Sequence, residues 1–169
     1  IAVRFDYLLF DNFSNHCLAN SVEPLRAAND LSQKQAYSWR FLTLDGAHAT
    51  SSSGMQITPH GSLAESHGEM LSVMPSYGFR DIGNADTSRQ LRRASKNYET
   101  LAGLDTGSWL LAKAGLLEGY QATIHWEELS TFAEAFPDID IKRERFIVDG
   151  NRITCSGAMA AFDLTMHLI

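Results

Sequence analysis

The sequence predicts an α/β domain, a three-layer sandwich with a mostly parallel central sheet, and three observations carry that expectation. Short, densely apolar runs at 3–10, 37–44, 70–74 and 101–104 have the length and composition of strands. Between them lie segments whose apolar residues recur at steps of three and four, as on one face of a helix. Strands and helices alternating at this spacing form βαβ units, which cover a parallel sheet on both faces.

Each element has its own signal. Residues 3–10 end at Asp11 and Asn12, as a buried strand ends in a turn. Residues 14–33 read as helix because Leu18, Val22, Leu25 and Ala28 share a face; Pro24 removes a backbone donor and is expected to bend it. Alternation over 37–44 gives a second strand. The Ser-rich stretch 51–53 is expected to be a loop before a short edge strand at 55–57. A strand at 70–74 and a helix over 87–96 follow. Strand 101–104 leads into a helix at 107–114, and a short strand at 122–124 precedes a helix at 127–136. The runs 142–148 and 152–155 flank Asp149 and Gly150, a hairpin signal. Residues 158–169 form an amphipathic helix with no Gly or Asn cap after it.

Composition narrows the function. With 169 residues, 44% hydrophobic and 20% charged, the chain has the size and balance of one globular domain. Its longest apolar runs fall far short of the roughly 20 residues a membrane-spanning helix needs, so no membrane partner is expected. A net charge of −6, with one short basic stretch at 89–93, disfavours direct contact with DNA, whose binding rests on phosphate neutralisation. Cys17 and Cys155 lie far apart with no metal-ligand spacing. No disulfide, metal or cofactor is expected, and the expected compartment is a reducing cytoplasm. The first residue is not Met and the last helical pattern is still running at Leu168 and Ile169. The polypeptide is therefore expected to continue into a further domain.

The most informative stretch runs from Leu101 through Asp105 to Trp109. An apolar strand ends at Asp105 and a helix starts at once, with Gly103 and Gly107 two residues to either side. This is the spacing of a nucleophile elbow, where one side chain is forced out at a sharp strand-to-helix turn. At the carboxyl edge of such a sheet, where ligands bind, a helix amino terminus favours an ionised Asp105. As a bare pattern, Asp105 could equally be the cap of the next helix.

The wider text resembles the PfpI-like, class I glutamine amidotransferase-like domain of AraC-family transcription regulators. The motifs are 103–107 (GLDTG), 110–117 (LLAKAGLL), 122–126 (ATIHW), 22–29 (VEPLRAAN), and 153–158 (ITCSGA) with 161–164 (AFDL), and they span nearly the whole chain in the expected order. The resemblance implies a flavodoxin-like sheet and a ligand-sensing domain over 1–169. It also implies a homodimer that reaches DNA only through a helix-turn-helix domain lying outside this chain. In the enzymes of that superfamily the elbow residue is a cysteine and a histidine follows about twenty residues later. Here Asp105 and His125 stand at those places, and a carboxylate is no nucleophile for amide hydrolysis, so amidase activity is disfavoured.

On the same resemblance, the segments near Asp105 carry Asn12, Phe13, Cys17 and Glu23, then Ser76 and Tyr77, then Thr106 and Trp109, and finally His125 and Trp126. All eleven are expected ligand-binding residues. Carboxylates beside aromatic faces suit an organic cation, so the expected effector is a small amine or quaternary ammonium metabolite. Relatives with Asp at the elbow resemble regulators of arginine, carnitine or glycine betaine catabolism. Glu127 and Glu128 read as a solvated first turn, and Arg80 with Asp81 as a loop ion pair, although Arg80 could receive a ligand carboxylate. The rival reading is a hydrolase or related enzyme using Asp105 as nucleophile and His125 as base, as in haloalkane dehalogenases, which are longer and carry a cap.

Overall fold

A computed structural model describes residues 2–169, and a seven-stranded sheet runs through its centre. The elements in chain order are β1 (Val3–Leu8), α1 (Asn15–Ser32), β2 (Tyr37–Thr43), β3 (Ala49–Thr50), β4 (Gln56–Ile57) and β5 (Gly61–Ser62). Next come β6 (Gly68–Val73), α2 (Phe79–Ile82), α3 (Ala85–Ala94), β7 (Tyr98–Gly103), α4 (Gly107–Lys113) and β8 (Gln121–Ala122). The last are α5 (Leu129–Ala135), β9 (Asp140–Ile141), β10 (Phe146–Asp149), β11 (Arg152–Cys155) and α6 (Ala158–Leu168).

The strand order is β10-β11-β7-β6-β1-β2-β5, parallel throughout except for the β10–β11 hairpin at one edge. That hairpin turns at Gly150, whose φ of 60° lies in the left-handed region the Asp149–Gly150 signal implied. Alternation along the central strands sorts side chains into two layers. Leu8, Leu71, Val73 and Leu101 face one side, where α3, α4 and α5 supply Leu91, Leu110, Leu111 and Phe132. Phe5, Tyr7, Met70, Ala102 and Leu104 face the other, where α1 and α6 supply Cys17, Leu18, Leu25, Ala161 and Leu164. The result is the expected three-layer sandwich.

Helix α1 is capped by the Ser14 hydroxyl, which accepts from the Cys17 N–H at 3.1 Å, and it continues through Pro24. It ends at Gln33, held in the left-handed region at φ 55°.

The structure corrects three expectations about elements. Gln56–Ile57 pairs with Ala49–Thr50 in a separate two-stranded ribbon, and the edge of the main sheet is the two-residue β5. The run 142–148 is strand only from Phe146, because Lys142 instead donates its N–H to the Ala122 carbonyl beside the small β8–β9 pair. The helix expected at 127–136 begins at Leu129, after a single tight turn over Trp126–Glu128.

Strand order reverses around β1: the chain moves out to β2 and β5, then returns to place β6 on β1's other side. The loops after β1 and β6 therefore diverge at the carboxyl edge and leave a crevice between them, the usual ligand position of open α/β sheets. No described helix is long and apolar enough to cross a membrane.

Candidate functional site

The crevice is filled from below by the loop after β7. Asp105 stands there at φ 59°, an uncommon conformation for a residue with a side chain. Its two glycine neighbours explain how the turn closes. A Cβ on Gly107 would lie 1.8 Å from the Val73 carbonyl oxygen, and one on Gly103 would lie 2.7 Å from the Ser108 nitrogen. Strand β6, strand β7 and helix α4 thus converge too closely for any side chain at 103 or 107, and the residue between them is pushed outward. Asp105 does not cap α4. The N-cap is Thr106, whose hydroxyl instead donates to the carbonyls of Pro75 (3.1 Å) and Ser76 (2.9 Å), tying the elbow to the β6 loop.

Above the elbow lies a cavity of about 310 Å³. Asp105 and Thr106 form its floor, Ser76 to Phe79 one wall, and His125, Glu127 and Glu128 another; Ser14, Ser52 and Ala158 complete it. The His125 N–H donates to the Asp105 carbonyl at 3.0 Å, which fixes the second wall to the elbow. The His125 ring then turns back to accept from the Glu127 N–H through Nδ1 at 3.2 Å. Three carboxylates and one histidine therefore line the cavity, and among the described residues no lysine or arginine does.

Burial raises the pKa of the Asp105 carboxyl above its ordinary value, while the positive charge of protonated His125 and a hydrogen bond to Ser76 pull it part of the way back. Ionising Asp105 at this depth therefore costs free energy.

Five of the residues expected to bind a ligand line this cavity: Ser76, Tyr77, Asp105, Thr106 and His125. Six do not. Trp109 turns into the opposite layer, where its ring packs against Phe79 (5.4 Å between centroids), Phe132 (6.1 Å) and Phe136 (5.1 Å). Phe13 and Cys17 are fully buried in the layer beneath α1 and α6, and Phe13 reaches the site only by its carbonyl, which accepts from the Ser52 N–H at 2.9 Å. Asn12 is exposed at φ 68° with its N–H on the Thr50 carbonyl. Trp126 is 65% exposed and stacks on the outer side of His125. Glu23 lies nine residues along α1 from Ser14, roughly 13 Å at 1.5 Å per residue, and pairs with Arg26 on the outer surface.

Sequence reasoning also missed several wall residues. Glu127 and Glu128, read as a solvated turn, line the cavity. Arg80 pairs with Glu128 at 2.9 Å rather than with Asp81, and its guanidinium lies over the rings of Phe79 and Trp109 at 4.6 and 5.1 Å. The available signal was the acidic doublet two residues after His125, the residue expected beside the elbow.

Both thiols are buried and neither lines the cavity. Burial raises the pKa of Cys17 well above its ordinary value and pushes Cys155 up to about 11.

No family model matches the chain. It is 39% identical over 164 residues, 96% of its length, to the HTH-type transcriptional regulator GbdR of Pseudomonas aeruginosa, and spans 45% of that protein. A more distant relative is the isonitrile hydratase of Pseudomonas putida, 26% identical over 99% of this chain and 71% of that protein. Among solved structures, an AraC family transcriptional regulator from Pseudomonas putida superposes with a TM-score of 0.83 at 25% identity, covering 98% of this chain and 90% of that one. A ThiJ/PfpI family protein from Pseudomonas syringae superposes with a TM-score of 0.83 at 21% identity, covering 99% of this chain and 68% of that one, and so shares the fold. The chain thus spans about half the length of the curated regulators it matches, has the ThiJ/PfpI fold, and has, over nearly its whole length, homologues that are HTH-type, AraC-like transcriptional regulators.

Proposed function

We propose that this chain is the ligand-sensing domain of an AraC-family regulator and that it binds a small amine or quaternary ammonium metabolite in the cavity above Asp105. The observation that supports the reading most is a deeply buried carboxylate whose cavity contains two further carboxylates and no lysine or arginine. Arg80, the nearest candidate counter-ion, is engaged by Glu128 and by two aromatic faces. A cation entering the cavity would meet Asp105 below and Glu127 beside it, with the Tyr77 ring available for cation–π attraction of about 0.5–2 kcal/mol. A volume of about 310 Å³ lies at the small end of the range for ligand pockets and suits a metabolite of few heavy atoms.

The receptor reading is favoured over an enzymatic one because both thiols are buried, protonated at neutral pH and away from the cavity. An elbow carboxylate would have to form an anhydride to cleave an amide, a poorer intermediate than a thioester. In this reading the longer protein acts in the cytoplasm as a homodimer and contacts DNA through a separate helix-turn-helix domain. A chain of net charge −6 is itself unsuited to that contact.

Calorimetric titration with a panel of primary amines, guanidines and quaternary ammonium compounds tests this. Asp105→Asn is the informative variant, because asparagine tolerates the left-handed conformation that alanine does not. At least one cation is expected to bind the wild type and to lose tenfold or more in affinity to the variant, about 1.4 kcal/mol. Affinity is also expected to fall as pH is lowered through the raised pKa of Asp105, since proton and ligand compete for one carboxylate. Equal affinity for both proteins, or a panel without a binder, would overturn the reading.

A further inference from the structure

An ion pair joins the two walls of the cavity. Arg80, on α2 next to the wall formed by Ser76 to Phe79, reaches Glu128 on the opposite wall, Nη2 to Oε2 at 2.9 Å. Both partners are held from behind. The Glu128 N–H donates to the His125 carbonyl at 2.8 Å, and the His125 N–H donates to the Asp105 carbonyl, so the backbone at 128 is tied to the elbow. The Arg80 guanidinium lies over the rings of Phe79 and Trp109, and Trp109 is itself packed against Phe132 and Phe136. A planar cation stacked on two anchored aromatic faces is not free to swing into the cavity.

The three carboxylates of the cavity are therefore not equivalent. Asp105 is buried at the floor with no lysine or arginine beside it. Glu127 is exposed, where water and salt screen its attraction for an ion. The Glu128 side chain is only 21% exposed and would be the second strong anion of the site, but Arg80 already neutralises it.

We propose that Arg80 determines the charge specificity of the cavity: by engaging Glu128 it leaves one buried carboxylate to offer, which favours ligands with a single positive charge and disfavours diamines and other dications. The inference rests on the cation site proposed above and adds what limits the charge of its ligand. Arg80 does not itself line the cavity, so its role is that of a positioning residue acting through Glu128. A dication at Asp105 would bring its second charge to a wall whose carboxylate is already paired, and a site discriminates in this way by leaving the wrong ligand's charge without a partner.

Calorimetric titration with propylamine and 1,3-diaminopropane near neutral pH tests this, since the two share a carbon chain and differ by one ammonium group. The wild type is expected to bind the monoamine at least as tightly as the diamine. Arg80→Met keeps an apolar stem against the aromatic rings and releases Glu128, so the diamine-to-monoamine affinity ratio is expected to rise by roughly tenfold or more. Arg80→Lys retains the charge and should hold the ratio within about threefold of the wild type. Combining Arg80→Met with Glu128→Gln should restore the wild-type ratio, because the released carboxylate is then gone. Arg80 is half exposed, so circular dichroism should show every variant folded. A merely structural Arg80 would change both affinities alike. An unmoved ratio in Arg80→Met, or a raised ratio that survives Glu128→Gln, would overturn this inference while leaving the cation site standing. Failure of both amines to bind any of these proteins would overturn it too, and the cation site would then stand or fall by the wider panel of guanidines and quaternary ammonium compounds.

Discussion

Two aspartates lie deep in this molecule, one within the sheet and one at its carboxyl edge. Within the sheet Asp6, fully buried on β1, accepts from the Tyr98 hydroxyl at 2.5 Å and from Arg4 Nε and Nη2 at 3.0 and 3.2 Å. At the carboxyl edge Asp105, 6% exposed, has a histidine and a serine nearby but no lysine or arginine lining its cavity. Similar burial therefore serves two purposes. Asp6 closes a network whose members satisfy one another, which is how a buried charge is tolerated in a core. Asp105 is left short of a counter-charge in a space large enough to admit one. On the proposed function, what separates the structural carboxylate from the ligand-binding one is what remains for it to bind.

That contrast can be broken by substitution. Asp6→Ala leaves Tyr98 and Arg4 without their common acceptor and is expected to cost about 2–4 kcal/mol in urea unfolding; a loss below about 1 kcal/mol would mean the cluster is not structural. Tyr98→Phe removes one hydrogen bond and leaves the Arg4–Asp6 pair, so a loss of about 1–2 kcal/mol is expected from the same measurement. Asp105→Asn should have the smallest effect and the opposite sign. The carboxyl's pKa is raised in the folded state, so its contribution to stability is complete below the unfolded value and is lost as pH rises through the folded one. Ligand-free wild type and variant should therefore melt alike in acid, with the variant pulling ahead as pH rises toward neutrality. A wild type that instead pulls ahead of the variant as pH rises would show that Asp105 has a fixed cation partner after all.

The parts legible in the sequence are those encoded locally. Gly103, Asp105 and Gly107 specify the elbow because the clashes they avoid involve atoms only a few residues away or on the neighbouring strand. The layers were readable because alternation along β1, β6 and β7 and helical periodicity in α1 and α6 each express one buried face. Two-residue strands such as β5 and the four-residue α2 carry too few positions to show a period. The cavity walls were harder for a different reason. Trp109 is only four residues from Asp105, but α4 leaves the elbow toward the layer of α3 and α5, so its ring fills the space among Phe79, Phe132 and Phe136. Glu127 and Glu128 reach the site because the backbone at His125 is bonded to Asp105, a tertiary contact that no spacing announces.

The collision that forbids a side chain at Gly107 also bears on how such a fold changes its role. Backbone at 103 and 107 fixes the socket, and nothing in that clearance depends on the chemistry of the group held between them. The residue at 105 is in effect an interchangeable bit in a rigid holder, so a single codon can refit the same tool while the flanking glycines stay where they are.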